Sequence, residues 1–506
     1  MALARTHAVA LVGMVGHVVE VEAHLAASLP AFSLVGLPDA ALAEARDRVR
    51  AAVSSSGLTW PNRRVTVNLS PATLPKSGSS FDLAIAVATL GGAGVVDLTA
   101  ASDVVHLGEL GLDGRLRPVR GVLPAVLAAV RAGHPRVVVP AGNLDEASLV
   151  PGARVQGART LAEVLSWYGA QIEVPNVDAA QPERVEQRRR AEPDLADVVG
   201  QAEARRSLEV AAAGGHHLLM LGAPGTGKTM LAARLPGLLP DLPDEDAVEV
   251  TAVHSVAGTF HPGGGLLVRP PFEDPHHTAT PASVIGGGSG LPRPGAASRA
   301  HRGVLFLDEA PEFSTAVLQT LRQPLENGEL VLHRAMGAAR YPARFQLVLA
   351  ANPCPCGRAV GKGLDCTCTP DRRRRYFGKL SGPLLDRVDL QVELEPARTG
   401  ELAGEPTAVV ATRVRAARLA QAARLAGTPW RTNAEASGAW LRARLGPDPA
   451  LMREANEGLD RGTLSRRGVD RVVRIAWTLA DLAGRDAPTA DDMRTAIVMR
   501  TRGQGV

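Results

Sequence analysis

Two segments of this chain carry the residue types that phosphoryl chemistry needs. The first, Gly222, Ala223, Pro224, Gly225, Thr226, Gly227, Lys228 and Thr229, fits G-x-x-x-x-G-K-[ST]. An apolar run, Leu218 to Leu221, precedes it, and a helix-compatible stretch from Met230 to Leu239 follows. That is the strand, loop and helix context the pattern requires. Glycines at 222, 225 and 227 let the backbone curl so that successive N–H groups and the helix N-terminus face a phosphate chain. Lys228 is then expected at the outer phosphates, with the Thr229 hydroxyl on a magnesium ion. The second segment, Val304-Leu-Phe-Leu-Asp-Glu309, is a buried-type strand that ends in two carboxylates. Asp308 is suited to hold the metal and Glu309 to polarise an attacking water. Together the two predict ATP hydrolysis with Mg²⁺.

Two further strand ends bear on the same chemistry. Phe345-Gln-Leu-Val-Leu-Ala-Ala351 finishes at Asn352, whose amide could sense a γ-phosphate and orient water. Leu380-Ser-Gly-Pro-Leu-Leu-Asp-Arg-Val-Asp-Leu390 carries Arg387 between apolar flanks. An arginine there could reach a neighbouring subunit's nucleotide; the alternative is a local ion pair with Asp386 or Asp389. All four cysteines fall in Cys354-Pro-Cys356 and Cys366-Thr-Cys368, joined by a glycine-bearing loop. Four clustered thiolates suit a tetrahedral structural Zn²⁺, although C-x-C is tighter than the usual C-x₂-C. The alternative is a set of reduced thiols without metal. Leu330-Val-Leu-His-Arg334 and Arg340-Tyr-Pro-Ala-Arg344 read as a hairpin with arginine on both arms. Arg334 and Arg340 are candidate contacts to nucleic-acid phosphates, the alternative being a solvated hairpin or an interface salt bridge. Arg372 to Arg375 is a second basic cluster. His276 and His277 are adjacent and are expected to point apart, in a packing or interface role without metal.

The elements that must position these groups follow from the apolar pattern. At 506 residues the chain exceeds a single core, and roughly two to four domains are expected. Hydrophobic content of 45% and charged content of 21% are those of an ordinary globular protein. A net charge of +4 is too small to imply a polyanionic partner by itself. No stretch approaches the apolar length that spans a bilayer, and Leu11 to Val21 is broken by His17 and Glu20, so neither a membrane partner nor a signal peptide is expected. The cytoplasm is the expected compartment. Residues 1–170 read as one unit, with short strands at Val9–Val12, Val18–Val21, Phe32–Val35 and Val65–Leu69 and helices at Ala40–Ser54, Phe81–Leu90 and Leu123–Ala132. Residues 171–193 read as a linker, 194–396 as the nucleotide-binding core and 397–506 as a helical domain. Thr251 to Gly290 is Gly-, Pro- and His-rich and too long for an ordinary connection.

The Gly222–Thr229 loop, Pro275-His-His-Thr278, Ala300-His-Arg-Gly303, Leu-Asp-Glu309, Asn352-Pro-Cys-Pro-Cys-Gly357 and the Leu380–Arg387 segment occur here in order. This set resembles the magnesium-chelatase-like AAA+ proteins of the ComM/YifB group over nearly the whole chain. The resemblance implies an α/β fold: an AAA+ P-loop core with a parallel sheet, a helical lid, and an N-terminal α+β Lon-protease-like (S5-like) domain. It implies a homo-hexameric ring acting on single-stranded or branched DNA, with branch migration in recombination or natural transformation as its role. By the same resemblance Arg387 becomes an arginine finger, and Arg467 a lid arginine reaching nucleotide from its own chain, with Arg466 as competitor. Val199, Gly200 and Gln201 fall where the family contacts adenine, and Met230 follows the loop.

Pro75-Lys-Ser-Gly-Ser-Ser-Phe-Asp82 resembles the nucleophile segment of Lon-type Ser–Lys proteases, with Ser80 at the nucleophile's place. The position of the Lon lysine holds Leu123, so the dyad is broken and the domain is not expected to be proteolytic. Arg115, Arg117 and Arg120 give it a basic edge. The rival reading for the whole chain is a metal-insertion ATPase subunit, as in magnesium chelatase itself.

Overall fold

A computed structural model of the chain describes residues 2–36, 42, 44–76, 78–181, 192–288, 292–334, 337–359, 365–380, 382–396, 402–446 and 450–501. Residues 182–191 of the linker read at 171–193 lie outside these residues.

The N-terminal unit is built on a mixed sheet. Its strand order is Ala31–Val35, Arg64–Ser70, Val15–Ala26, Ala2–Val12, Val105–His106, Arg136–Pro140, Arg154–Ala158. The short strands expected at Val9–Val12 and Val18–Val21 are the inner parts of one long hairpin, paired from Ala2↔Leu25 to Val12↔Val15. Polar residues at alternate positions do not interrupt such a ladder, because each faces away from its neighbours. Ala8, Ala10, Val19 and Val21 pack with helix Asp82–Gly92 on one face, and Val9 packs with helix Val122–Arg131 on the other. Ser80 precedes the first helix, while Leu123 is buried in the second. Lys76 is itself buried and donates to the Pro71 carbonyl.

The nucleotide-binding core is a parallel five-stranded sheet ordered Phe272–Glu273, Val304–Leu307, Gln346–Ala351, Leu218–Gly222, Leu390–Leu394. Leu218 and Met220 face one apolar cluster, Leu219 and Leu221 another. Burial on both faces is why these strands read as unbroken apolar runs. The register sets Leu221 beside Ala351, and Leu307 beside Leu349, so the strand ends come level. Thr251 to Gly290 is not a single insertion. Its first residues complete helix Asp244–Ala257, and Phe272–Glu273 supplies the edge strand, too short to show a period.

The C-terminal residues form the helices Thr407–Arg424, Gly438–Arg442, Ala450–Asp460, Arg466–Leu482 and Ala490–Thr501. The short helix Gly438–Arg442 is started by the Ser437 side chain accepting from Trp440 N–H. Val410, Val414, Val472 and Ala476 share a core with Leu208 and Ala211 of helix Ala202–Gly214. The lid is thus continuous with the nucleotide-binding core.

The N-terminal unit meets that core along one helix pair and at one hairpin. Helix Val122–Arg131 lies on helix Asp244–Ala257, where Ser255 Oγ donates to the buried carboxylate of Glu146. Arg120, read as part of a basic edge, packs against Gly258. Strands Glu329–Arg334 and Gly337–Pro342 form the antiparallel hairpin, with Val331 opposite Arg340. Leu332, Ala339 and Tyr341 of this hairpin pack with Met14 in the turn of the N-terminal hairpin. Gly13, at φ +64°, lies so close that a Cβ there would meet Arg340 O at 2.6 Å.

Candidate active site

Three strand ends meet around Lys228. The strand Leu218–Gly222 runs into the loop, and Gly225 and Gly227 take φ of +81° and +94°. A Cβ on Gly222 would lie 2.6 Å from Thr226 Oγ1 and 3.0 Å from Leu394 O, so the neighbouring strand end leaves room only for glycine. Thr226 Oγ1 closes the loop on Ala223 O at 2.9 Å. Lys228 Nζ donates to Gly222 O at 2.6 Å, Ala223 O at 2.9 Å and Asn352 Oδ1 at 3.1 Å. Burial pushes its ammonium below the ordinary lysine value, while Asp308 and Glu309 pull it back up. A cation held inward by loop carbonyls, beside glycine-shaped backbone, is a cradle that fits a phosphate chain.

Thr229 Oγ1 donates to Asp308 Oδ2 at 2.6 Å. These two hard oxygen donors suit Mg²⁺. Glu309 takes the left-handed conformation at φ +50°, and its N–H donates to Asp308 Oδ1 at 2.9 Å. Its own carboxylate lies 3.3 Å from His277 Nδ1. His276 and His277 do not point apart. They sit in a turn, outside helix or strand, with ring centroids 4.2 Å apart. His277, assigned to a packing or interface role by the sequence, therefore bears directly on the carboxylate suited to activate water.

On the far side of the loop, Val199 bridges Ala403, and Gly200 N donates to Leu402 O at 3.1 Å. Gly200 and Gln201 take φ of +66° and +49°, and Gln201 Nε2 donates to Glu395 O. Val199 and Leu402 leave an apolar lip open to solvent, and Met230 is exposed at the start of the following helix. An apolar edge of this kind can take a base. Leu402 was missed because it lies in no recognisable sequence pattern.

The structure brings the four cysteines together. Their Sγ atoms all lie within 4.8 Å of one another; Cys354 is 3.2 Å from Cys356 and 3.6 Å from Cys366, which is 3.8 Å from Cys356. Thiolates at about 2.3 Å from one Zn²⁺ stand at such separations. Gly357 closes the first Cys-Pro-Cys turn, its N–H donating to Cys354 O at 2.9 Å. It also abuts the phosphate loop: a Cβ there would lie 2.7 Å from Pro224 Cδ. Beyond the cysteines, helix Pro370–Gly378 turns the buried Tyr376 back toward the Asn352 backbone. The same helix leaves Arg372, Arg374 and Arg375 exposed, Arg374 pairing with Asp371 at 2.8 Å.

The guanidinium of Arg387 meets Glu326 of helix Arg322–Asn327. Asp389 is taken by Arg471 of helix Arg466–Leu482. Arg467 is exposed in the first turn of that helix and, among the described residues, makes no hydrogen bond or ion pair. Arg340 is exposed on the hairpin and pairs with Glu329 at 3.0 Å. Arg334 ends the opposing strand.

Family models match along the chain: "Subunit ChlI of Mg-chelatase" over residues 21–143, "Magnesium chelatase, subunit ChlI" over 194–402, and its C-terminal model over 404–500. An uncharacterized protein of Mycobacterium tuberculosis is 54% identical over 99% of both chains. Competence protein ComM of Haemophilus influenzae is 40% identical over 96% of this chain and 94% of its own. YifB of Escherichia coli is 39% identical over 99% and 97%. The magnesium-chelatase 38 kDa subunit of Cereibacter sphaeroides is 28% identical, over 40% of this chain and 59% of its own. With the loop, the paired carboxylates and the parallel sheet in place, the chain belongs to the ComM/YifB group of magnesium-chelatase-like AAA+ ATPases.

Proposed function

We propose that this protein is the ATP-hydrolysing subunit of a homo-hexameric, cytoplasmic ring that moves single-stranded or branched DNA, in the manner of a branch-migration motor. The observation that carries the ATPase half is the convergence of Lys228, Asn352, Thr229 and Asp308 at one end of a parallel sheet. Lys228 binds the outer phosphates, and Thr229 with Asp308 holds the metal. Mg²⁺, when bound, neutralises charge on the phosphate oxygens. Glu309 takes the proton of the attacking water, and His277 sets the direction of its carboxylate. Asn352 aligns that water, steadied from behind by Tyr376. Arg387 from the adjacent subunit stabilises charge on the leaving phosphates, and Arg467 closes the lid over the same chain's nucleotide.

Near full-length kinship with a competence protein supports the DNA half, as does a hairpin bearing Arg334 and Arg340. Backbone phosphate contacts suit movement that ignores sequence. The four cysteines hold a structural Zn²⁺ that ties Asn352 to the helix carrying Tyr376. The chelatase reading is less favoured, since similarity to the 38 kDa subunits covers less than half of this chain. ATPase turnover with no DNA, single-stranded DNA, duplex and a four-way junction tests the proposal. DNA, the junction above all, should raise turnover; equal rates in all four would refute the DNA assignment and leave the ATPase intact.

A further inference from the structure

The segment that presents Arg387 is gripped at three successive residues by the lid. Arg471 Nη1 donates to Arg387 O at 2.9 Å and pairs with the Asp389 carboxylate. Arg500, on helix Ala490–Thr501, donates to the intervening Val388 O. From below, His217 N donates to Asp389 Oδ2 at 3.1 Å, and the amides of Asp389 and Leu390 both donate to His217 O at 3.0 Å. Asp389 and Arg500 are buried, and the Arg471 side chain is only 13% exposed. Charge-assisted bonds of this kind, shielded from water, fix a backbone far better than surface pairs do.

The grip originates on the helix that begins with the lid arginine. Arg467 and Arg471 are four residues apart in Arg466–Leu482, so they share one face and are rigidly linked. We propose that Arg471 is a positioning residue that ties Arg387 to the lid, so that nucleotide in a subunit's own site sets the reach of the finger it offers to the next. This rests on the reading of Arg387 as a finger acting in trans. The guanidinium of Arg387 is itself held by Glu326, so its backbone anchor decides whether it can swing outward.

The test uses the full-length ring and the variants Arg471→Met, Arg471→Lys and Arg387→Ala. Arg471→Met should lower kcat by about tenfold or more. Its Kd for a fluorescent ATP analogue, measured apart from turnover, should stay within about twofold of wild type. The Hill coefficient for ATP should fall toward that of independent sites. Arg471→Lys, which keeps a cation for Asp389, should recover part of the rate. Mixed with Lys228→Ala, Arg471→Met should regain activity, because mixed rings contain interfaces with an intact loop and a clamped finger. If Arg471→Met loses ring assembly, Arg500→Met is read instead, with the same rescue expected. Unchanged kcat and Hill coefficient in the folded variant, or inactivity without rescue in mixed rings, would overturn the coupling. Wild-type turnover in Arg387→Ala would instead overturn the finger reading on which it rests.

Discussion

Gly357→Ala isolates the contact between the cysteine turn and the phosphate loop. Two costs are built into the substitution. At φ +74° a Cβ is strained by about 1–2 kcal/mol whatever surrounds it. The new methyl would also stand 2.7 Å from Pro224 Cδ and 2.8 Å from Cγ, where ordinary contact begins at 3.4 Å. The proline ring cannot rotate away, so the loop itself must shift by about 0.7 Å or more. Misplacing a positioning group by about 1 Å can cost on the order of a hundredfold in rate. Gly427→Ala is the matched control: its φ is +76°, and nothing lies within 4 Å of the new Cβ. Gly427→Ala should therefore lose about 1–2 kcal/mol of stability in thermal melts, and Gly357→Ala at least as much. Only Gly357→Ala should lose about tenfold or more in kcat/KM for ATP, equivalent to about 1.4 kcal/mol of transition-state stabilisation. If Gly357→Ala matches Gly427→Ala in kcat/KM, the turn does not buttress the loop and the reasoning fails.

Lys228→Ala should abolish nucleotide binding in a fluorescence titration, whereas Glu309→Gln should bind normally and not turn over; wild-type turnover in the latter would remove Glu309 from the chemistry. Purified protein should carry about one Zn²⁺ per chain by elemental analysis, and stripping it should depress hydrolysis more than ATP binding. Metal-free protein with full activity would leave the cysteines as packed thiols. Burial holds His106, His217 and His254 at about 3, about 4 and about 4, all below the histidine value of 6.5. Unfolding lets these rings take up protons, so the stability they contribute is complete above pH 6.5 and lost as pH falls toward 4. Melting temperatures that stay flat over that window would count against these rings being neutral in the fold.

The centre of the parallel core was legible because Leu218–Gly222, Val304–Leu307 and Gln346–Ala351 are buried on both faces and each runs into a residue with chemistry to do. Lys228, Asp308 and Asn352 could be aligned from the ends of apolar runs alone. Contacts without a spacing rule were not legible. His277 reaches Glu309 only because a turn stacks it on His276, and periodicity says nothing about turns. Phe272–Glu273 is a strand by virtue of its neighbour Val304–Leu307 and not of its own pattern. Glu326 holds Arg387 from a distant helix, where sequence suggested either a neighbouring subunit's nucleotide or the adjacent aspartates. Arg471 could have been found: it lies one turn beyond Arg467, on the inward face of an amphipathic helix.

The meeting of Gly13 and Met14 with the Arg340 hairpin changes what a truncation can tell. The N-terminal turn is the tip of a long stiff ribbon, and it braces Leu332 and Tyr341 from the side. Cutting away the first domain would strip that brace, leave apolar side chains of the hairpin wet, and free the arginine-bearing strands to sample other positions. A defect in such a shortened protein would belong to two parts at once. Charges introduced at Met14 alone, with the domain retained, would separate the brace from whatever else the domain does.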